Sequence, residues 1–556
     1  MAEKSVDNHF LSLLLPALRE HADKPLFRPY LGNLDEWGTV TYVEFEQRLT
    51  VAQEYWRNKL APLQLKPLDI IGFWLTGRKI TDIVNTLAVS SLGYIPQFFS
   101  GYFSGLAVVV ELLVKTGGKA IALDPSYKSQ IAQFDSLPVP SLITLEDGEI
   151  QQSISEARGP LAPFQLDPNA AVRLDDYAAL FHTSGTSGGT PKVIPNTHKM
   201  LRAVILYKHS GAQGIDDEFL ANGGAQTVAN TVGNHAHIAT YHTFLGAVHT
   251  GTCMVQTSSM AATAEEFLAL VRVCGLTRLI LFATFLADII RAARTDPAIR
   301  DALKGLRQIF HTGVALNKED EQWAYNNGLR IITSYSTTET APLLRSRVGT
   351  DAASRLLRPV RGANPAFLPY KDTDGGSTPG LELYEIVVPA GADDCPPPAL
   401  VAPDGFYHTG DIFQKIDDGW VYRGRAGDWI KVLGGFVDTK AIEDAVRKAG
   451  AGLVYDAVVV GNGRAAAVLL VESAEAGVAA DAEKRRAVAQ TLVERMADFN
   501  RHLFLHERVA DPRHVVVLER GTLLRGKEKG NVRRGATEEL LSKEIDAAIA
   551  AAAQAQ

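Results

Sequence analysis

Along the N-terminal part of the chain, apolar residues alternate between strand-like and helix-like spacing. Val40-Thr41-Tyr42 predicts a short strand and the periodic run Phe45 to Leu60 a helix, followed by a buried strand at Asp69 to Trp74 and a second helix at Ile80 to Leu92. Strand-length apolar runs recur at Ala120 to Asp124, Tyr177 to Phe181, Arg278 to Phe282, Leu306 to Phe310 and Arg330 to Ser334. Strands alternating with helices at this spacing predict an α/β body, a mostly parallel sheet with helices on its faces.

After Leu381 the pattern changes. A strand is expected at Leu381 to Val388, then a Pro-rich loop at Pro396 to Pro398. A hairpin follows, Ile412 to Ile416 with Trp420 to Arg423, joined by Asp417-Asp418-Gly419. Beyond it come a strand at Trp429 to Leu433, a helix from Lys440 to Lys448, strands at Ala457 to Val460 and Ala466 to Val471, a helix at Arg485 to Phe504, a strand at His514 to Leu518 and a closing helix from Ala536. The expected division is a large N-terminal domain over 1–425 and a small C-terminal α+β domain over 426–556, roughly 130 residues and enough to fold alone.

Composition narrows the function classes. Hydrophobic residues make up 46% and charged residues 21% of 556 positions, an ordinary globular balance. Lys and Arg number 56 against 63 Asp and Glu, a net charge of -7 with no basic block, so a nucleic acid polymer is not an expected partner. The three cysteines, Cys253, Cys274 and Cys395, form no C-x-x-C pair, which argues for a reducing, cytoplasmic setting. Met1 to Leu15 lacks a basic n-region and a small-residue cleavage site. The most apolar stretches, Leu106 to Val114 and Leu279 to Ile290, are too short to span a membrane, so none is expected as a partner.

The densest chemical signal is Phe181-His182-Thr183-Ser184-Gly185-Thr186-Ser187-Gly188-Gly189-Thr190-Pro191-Lys192, expected to run from a strand into a helix starting near Thr197. Hydroxyls, glycines and one lysine in such a loop let backbone N–H groups and a point charge converge on phosphates. It is not a Walker A loop, because Lys192 follows Pro191 and precedes Val193. Three further motifs follow in order: Tyr335-Ser336-Thr337-Thr338-Glu339, Tyr407-His408-Thr409-Gly410-Asp411, and Gly424-Arg425 with Gly434-Gly435 and Glu443.

Together these motifs resemble those of the adenylate-forming superfamily, which includes acyl-CoA synthetases, peptide-synthetase adenylation domains and luciferases. The resemblance covers nearly the whole chain and implies a large α/β body with a small mobile C-terminal domain. It implies that Thr183, Ser184, Gly185, Thr186, Ser187, Gly188 and Lys192 hold the phosphates of ATP, that Tyr335 stacks on adenine and that Asp411 accepts the ribose hydroxyls. Glu339 offers a carboxylate to Mg²⁺, a hard ion that takes one or two carboxylates plus phosphate oxygens, with Thr338 beside it in the catalytic set. Arg425 is expected to pair with ribose or the α-phosphate, and Gly427 with Asp428 to form the hinge.

Near the C-terminus, Leu523 to Arg534 occupies the place where the family carries a lysine reaching the acyl phosphate. The common form of that motif aligns Asn531 with the lysine. A Lys-Gly-x-Val-x-Arg variant of fungal reductase-type adenylation domains fits Lys529 to Arg534 and selects Lys529, with Lys527 as the alternative.

The acyl pocket is expected around Asn234-His235-Ala236-His237 and Tyr241-His242, with Gly313 also on the acyl side. Amino-acid-activating members carry an aspartate here to hold the α-ammonium. Neither Asn234 nor His235 supplies that charge, so a carboxylic acid without an α-amino group, aryl or medium acyl, is favoured. No carboxylate or cysteine accompanies His235, His237 and His242 at a metal-ligand spacing, and each also reads as a structural histidine.

The expected activity is ATP-dependent formation of an acyl-adenylate, with transfer to the thiol of CoA or of a carrier protein's phosphopantetheine. The motif variants look most like fungal carboxylate-reductase-type or synthetase-like adenylation domains. No Gly-Gly-Asp-Ser-Leu carrier motif and no second Rossmann unit follow, so an excised domain, a stand-alone ligase and a partner for a separate carrier all remain open. Asn531 and Gly427 motivate the alternative of a nucleotide-binding protein without turnover.

Overall fold

In a computed structural model of the protein, the apolar runs of the N-terminal half pair into two sheets. The structure describes residues 3–554 apart from 102, 104, 184–191, 209–224, 260–261, 314–315, 317, 371–381, 427–428, 433–434, 502, 504–506 and 526–531. The chain groups into two units: Met1–Thr183, Pro191–Ala366 and Val387–His408 in the first, and Ser184–Thr190, Phe367–Ile386 and Thr409–Gln556 in the second.

Among the described residues, the larger sheet of the first unit has nine strands. Their spatial order is Arg358–Pro359, Ala341–Arg345, Ile331–Thr337, Gln308–Thr312, Arg278–Phe282, Val228–Asn230, Cys253–Val255, Pro25–Arg28 and Val40–Thr41. Pairing is parallel from Ile331–Thr337 through to Pro25–Arg28 and antiparallel at both edges. The second sheet orders Ser141–Ile143, Ala120–Leu123, Ile70–Leu75, Ile95–Ser100, Tyr177–Thr183 and Lys192–Thr197. Helices Tyr42–Leu60, Ile80–Ser91 and Ile238–His249 share one core with both sheets, in which Trp56, Phe73, Phe98, Phe181, Tyr241 and Phe244 are almost wholly buried. Burial of that apolar area is the main stabilising term. Thr41 starts the first of these helices with a capping box closed by Glu44.

Two readings of the sequence change here. The segment expected to bind phosphates does not run from strand to helix: Lys192–Thr197 is a strand antiparallel to Tyr177–Thr183, and helix His198–Ala203 begins only after it, capped by Thr197. Pro195 argues against a strand in sequence but is tolerated because this one lies at the sheet's edge. The strand expected at Arg330 to Ser334 runs on to Thr337, so Tyr335 lies within it, opposite Leu344.

In the second unit, Val454–Val460, Val468–Ser473 and Val515–Leu518 form a sheet covered by helices Thr439–Ala449 and Ala482–Arg495. Ile442, Val446, Val459, Leu469, Val471 and Leu492 fill the core beneath them. Between residues 366 and 425, and not confined to the second unit, a further sheet orders Ala366–Pro369, Leu383–Pro389, Phe406–Ile416 and Gly419–Arg425, with the Asp417-Asp418 turn where the sequence placed it. Among the described residues no helix is long and apolar enough to cross a membrane.

Candidate active site

Strands Arg278–Phe282, Gln308–Thr312 and Ile331–Thr337 run parallel and finish side by side, the end of an open α/β sheet at which ligands bind. The last of them turns back as a hairpin, with Thr337 paired to Ala341 and Thr338-Glu339-Thr340 forming the loop. Ala341, the first residue of the returning strand, is left-handed at φ 59°. Within the turn the Thr340 amide donates to Thr337 Oγ1 at 3.2 Å, and the two hydroxyls lie 3.0 Å apart. Glu339 is half-buried at the tip and carries no ion pair to a described residue. Its carboxylate is a hard oxygen donor of the kind Mg²⁺ takes in ones and twos together with phosphate oxygens.

The next strand ends hold the acyl-side candidates. Thr312 Oγ1 lies 3.2 Å from Ser336 Oγ, linking the end of its strand to the Tyr335 strand. Gly313 follows at φ 95°, where a Cβ would stand 3.0 Å from the Phe282 ring. His237 meets the same ring edge-on at 6.1 Å, while its side chain caps helix Ile238–His249 by accepting from the Ala239 amide. The structure thus brings His237 and Gly313 together on Phe282. Sequence reading passed over Phe282, although its place at the end of an apolar parallel strand was a usable signal.

His235 is held elsewhere. It is 2% exposed, packs on Phe27 and Phe244, and burial lowers its pKa to about 3, so the ring is neutral. Asn234 fills the space over Gly77, which is left-handed at φ 74°, and donates to the Thr76 carbonyl at 3.0 Å. His242 bonds Asn196 at 2.8 Å. Among the described residues no group of three or more His, Cys, Asp or Glu side chains converges as a metal site.

The hairpin of strands Tyr177–Thr183 and Lys192–Thr197, expected to bind phosphates, is described up to its base. Thr183 pairs with Lys192, whose side chain is exposed. Ser184, Gly185, Thr186, Ser187 and Gly188 lie outside the described residues. His182, next to the base, donates from Nδ1 to the Phe98 carbonyl at 2.9 Å and is reached by Gln97 at 3.2 Å. Burial lowers its pKa to about 4, so it brings no positive charge to the hairpin.

In the second unit Asp411 and Arg425 are opposed across an antiparallel pair, Arg425 Nε lying 3.4 Å from Asp411 Oδ1. Tyr422 donates to the same oxygen at 3.3 Å, and Arg425 Nη2 to the Thr409 carbonyl at 2.8 Å. Gly410 supplies a left-handed residue at φ 72°. Glu443 accepts from the Val459 amide at 2.9 Å and from Arg534 at 2.8 Å. Arg525 and Val532 form an antiparallel bridge that closes the base of the segment carrying Lys527 and Lys529. Those two lysines, Asn531, Gly427 and Asp428 lie outside the described residues.

Residues 18–366 match the AMP-binding enzyme family, and residues 430–553 match the AMP-binding enzyme C-terminal domain. The chain belongs to the AMP-binding enzyme family. A curated relative of this AMP-binding enzyme, the AMP-binding domain-containing enzyme iboA of Amanita muscaria, is 30% identical over 534 residues, 93% of this chain and 98% of the relative. ATP-bound MatB from Rhodopseudomonas palustris superimposes with a TM-score of 0.72 at 17% identity, over 96% of this chain and 99% of MatB. The anthranilate CoA ligase AuaEII, solved with anthranoyl-AMP, gives 0.71 at 16% identity over 99% of each chain. At such identities the likeness speaks for the fold, that of adenylate-forming enzymes.

Proposed function

We propose that this AMP-binding enzyme activates a carboxylic acid lacking an α-amino group, aryl or medium acyl, and passes the acyl group to the thiol of CoA or of a carrier-bound phosphopantetheine. The observation that carries the reading is the convergence of His237, Phe282 and Gly313 with the Tyr335-to-Glu339 hairpin at the carboxyl ends of parallel strands. An apolar ring beside a phosphate-handling turn suits an acid whose carboxylate must meet the α-phosphate. Relatives of this fold are ligases of aromatic acids, among them the benzoate CoA ligase of Burkholderia xenovorans LB400.

In the reaction a carboxylate oxygen attacks the α-phosphorus, the bond to the bridging oxygen breaks, and pyrophosphate leaves; the thiol later displaces AMP from the adenylate. Lys192 and Lys529 act by neutralising charge that grows on the phosphates, and Tyr335 by stacking on adenine. Asp411 holds the ribose hydroxyls, Arg425 ribose or the α-phosphate, Thr338 belongs to the catalytic set, and Glu339 would hold Mg²⁺. The metal supplies charge stabilisation on the phosphate oxygens. We place the working boundary between 1–425 and 426–556, with Gly427 and Asp428 as the hinge. The reading favours a cytoplasmic enzyme akin to carboxylate-reductase-type adenylation domains.

The test is exchange of labelled pyrophosphate into ATP with a panel of aryl, fatty and amino acids. Exchange with aryl or medium acyl acids and not with amino acids is expected. Nucleotide binding with no exchange for any acid would make the chain a binder without turnover.

A further inference from the structure

Helix His198–Ala203 continues as a π-helical turn, Val204–Lys208, a rare conformation that recurs at functional sites. Its last residue, Lys208, is completely buried, as is its partner Asp394, with Nζ 3.0 Å from Asp394 Oδ2. The same ammonium donates to the carbonyl of Thr340 at 2.8 Å. Arg345, in the returning strand of the Glu339 hairpin, donates to the carbonyl of Lys208 at 3.1 Å. Lys208 is therefore fastened to that hairpin by its backbone and by its side chain.

A buried ion pair is a poor route to stability. Desolvating two charges offsets their attraction, and apolar residues of similar volume often do as well or better. This pair is also under-satisfied, since Asp394 Oδ1 meets no partner among the described residues. What it secures is geometry. The other polar bonds of the turn, from Thr337 and Thr340, are internal to it. Among the described residues the Lys208 ammonium is the polar group reaching it from outside the hairpin. The turn also holds Ala341 left-handed, a conformation that is unfavourable for a residue with a Cβ and persists where neighbours enforce it. Lys208 follows in one continuous run from strand Lys192–Thr197, so the segment that leaves the phosphate hairpin also holds the turn bearing Glu339.

We propose that Lys208, held by Asp394, is a positioning residue that fixes the Glu339 turn for metal binding and ties it to the strand that begins at Lys192. The proposal rests on the reading of Glu339 as the Mg²⁺ carboxylate. Two variants test it: Lys208→Met, and the paired Lys208→Met with Asp394→Leu, which removes both charges and keeps the chain folded if the first variant is unstable.

Two readouts are taken, the Mg²⁺ dependence of pyrophosphate exchange and, without nucleotide or metal, amide hydrogen exchange of the peptide around Thr337 to Ala341. The Mg²⁺ needed for half-maximal exchange should rise about tenfold or more, the scale on which groups behind a metal ligand act, with AMP affinity within about twofold of the parent. The turn amides should exchange faster while peptides of the Tyr42–Leu60 helix are unchanged. In a Glu339→Gln background, Lys208→Met should add little to the Mg²⁺ requirement. A folded paired variant with parental Mg²⁺ dependence overturns the proposal, whatever its hydrogen exchange. If Glu339→Gln alone leaves the Mg²⁺ requirement unchanged, the reading of Glu339 is what fails, and hydrogen exchange still reports whether Lys208 holds the turn.

Discussion

Glu339 and Asp411 are both carboxylates assigned to nucleotide handling, yet their surroundings set them different tasks. Glu339 stands half-buried without an ion pair to a described residue, whereas Asp411 is 6% exposed and already accepts from Tyr422 and faces Arg425. Glu339→Gln is expected to raise the Mg²⁺ requirement of pyrophosphate exchange about tenfold or more, with AMP binding nearly unchanged because AMP lacks the β,γ-phosphates. Calorimetric AMP titration beside an Mg²⁺ series checks this, and equal losses in both would remove the metal role. Asp411→Asn should weaken ATP binding roughly tenfold to a hundredfold, the equivalent of about 1.5–3 kcal/mol for a hydrogen bond to a charged group. An unchanged ATP affinity would leave Asp411 as the partner of Arg425 only. Both carboxylates are nominated by the sequence because their motifs are contiguous. Lys208 and Asp394 were not legible in it, since they lie 186 residues apart and no local pattern marks a lysine that folding will bury.

Secondary structure was most legible where an apolar run ends in turn residues, as at the Asp417-Asp418 turn and at the parallel strands leading to Phe282 and Thr312. It was least legible at the edges. Lys192–Thr197 carries Pro195, and Pro25–Arg28 begins with a proline, features that argue against strands until a sheet edge is known to be their place. The ends of parallel strands also give the sharpest test of the acyl side. Gly313→Ala adds a methyl 3.0 Å from Phe282 in a backbone conformation that favours glycine. We expect it to reorder the panel of acids, bulky aryl acids losing most, with ATP binding little altered. A common loss for all acids would point to strain instead. His235→Ala, by contrast, opens a cavity in the core and should lower the melting temperature without changing the ranking. In the segment between Arg525 and Val532, Lys529→Ala should slow adenylation by about 10²–10³ and spare thioester formation from supplied acyl-adenylate. A larger loss from Lys527→Ala would transfer the role to that lysine.

Across the whole molecule, buried histidines set the response to acid. Burial lowers His182 to about 4 and His198 to about 3, and His9 also falls well below the ordinary 6.5. Below that ordinary value the unfolded chain takes up protons that the folded rings refuse, so stability is lost as pH falls from 6.5 toward these lowered values. The melting temperature should accordingly drop between pH 7 and pH 5. Asp82 acts in the opposite sense: burial raises it from 3.8 to about 7, so its contribution is full at low pH and is lost as pH rises through about 7. Asp82→Asn, which mimics the protonated form, should raise the melting temperature at pH 8 and change it little at pH 4.

The strand order of the nine-stranded sheet has a consequence for synthesis. Its edge hairpin, Pro25–Arg28 with Val40–Thr41, pairs with Cys253–Val255, and the Trp37 indole donates to Gln256 across 219 residues. At about 5–20 residues per second, a ribosome separates those partners by roughly 10–45 s, during which helix Tyr42–Leu60 can pack on Leu26, Phe27 and Val40 while the backbone edge that Cys253–Val255 will take stays unpaired. The six-stranded sheet, made wholly from Ile70–Leu75 through Lys192–Thr197, closes within that interval. The nascent chain thus carries a hairpin with one unpaired edge beside a sheet whose core still lacks helix Ile238–His249. Translation without chaperones should yield less folded protein than refolding of the full-length chain, in which the hairpin's partner is present from the start.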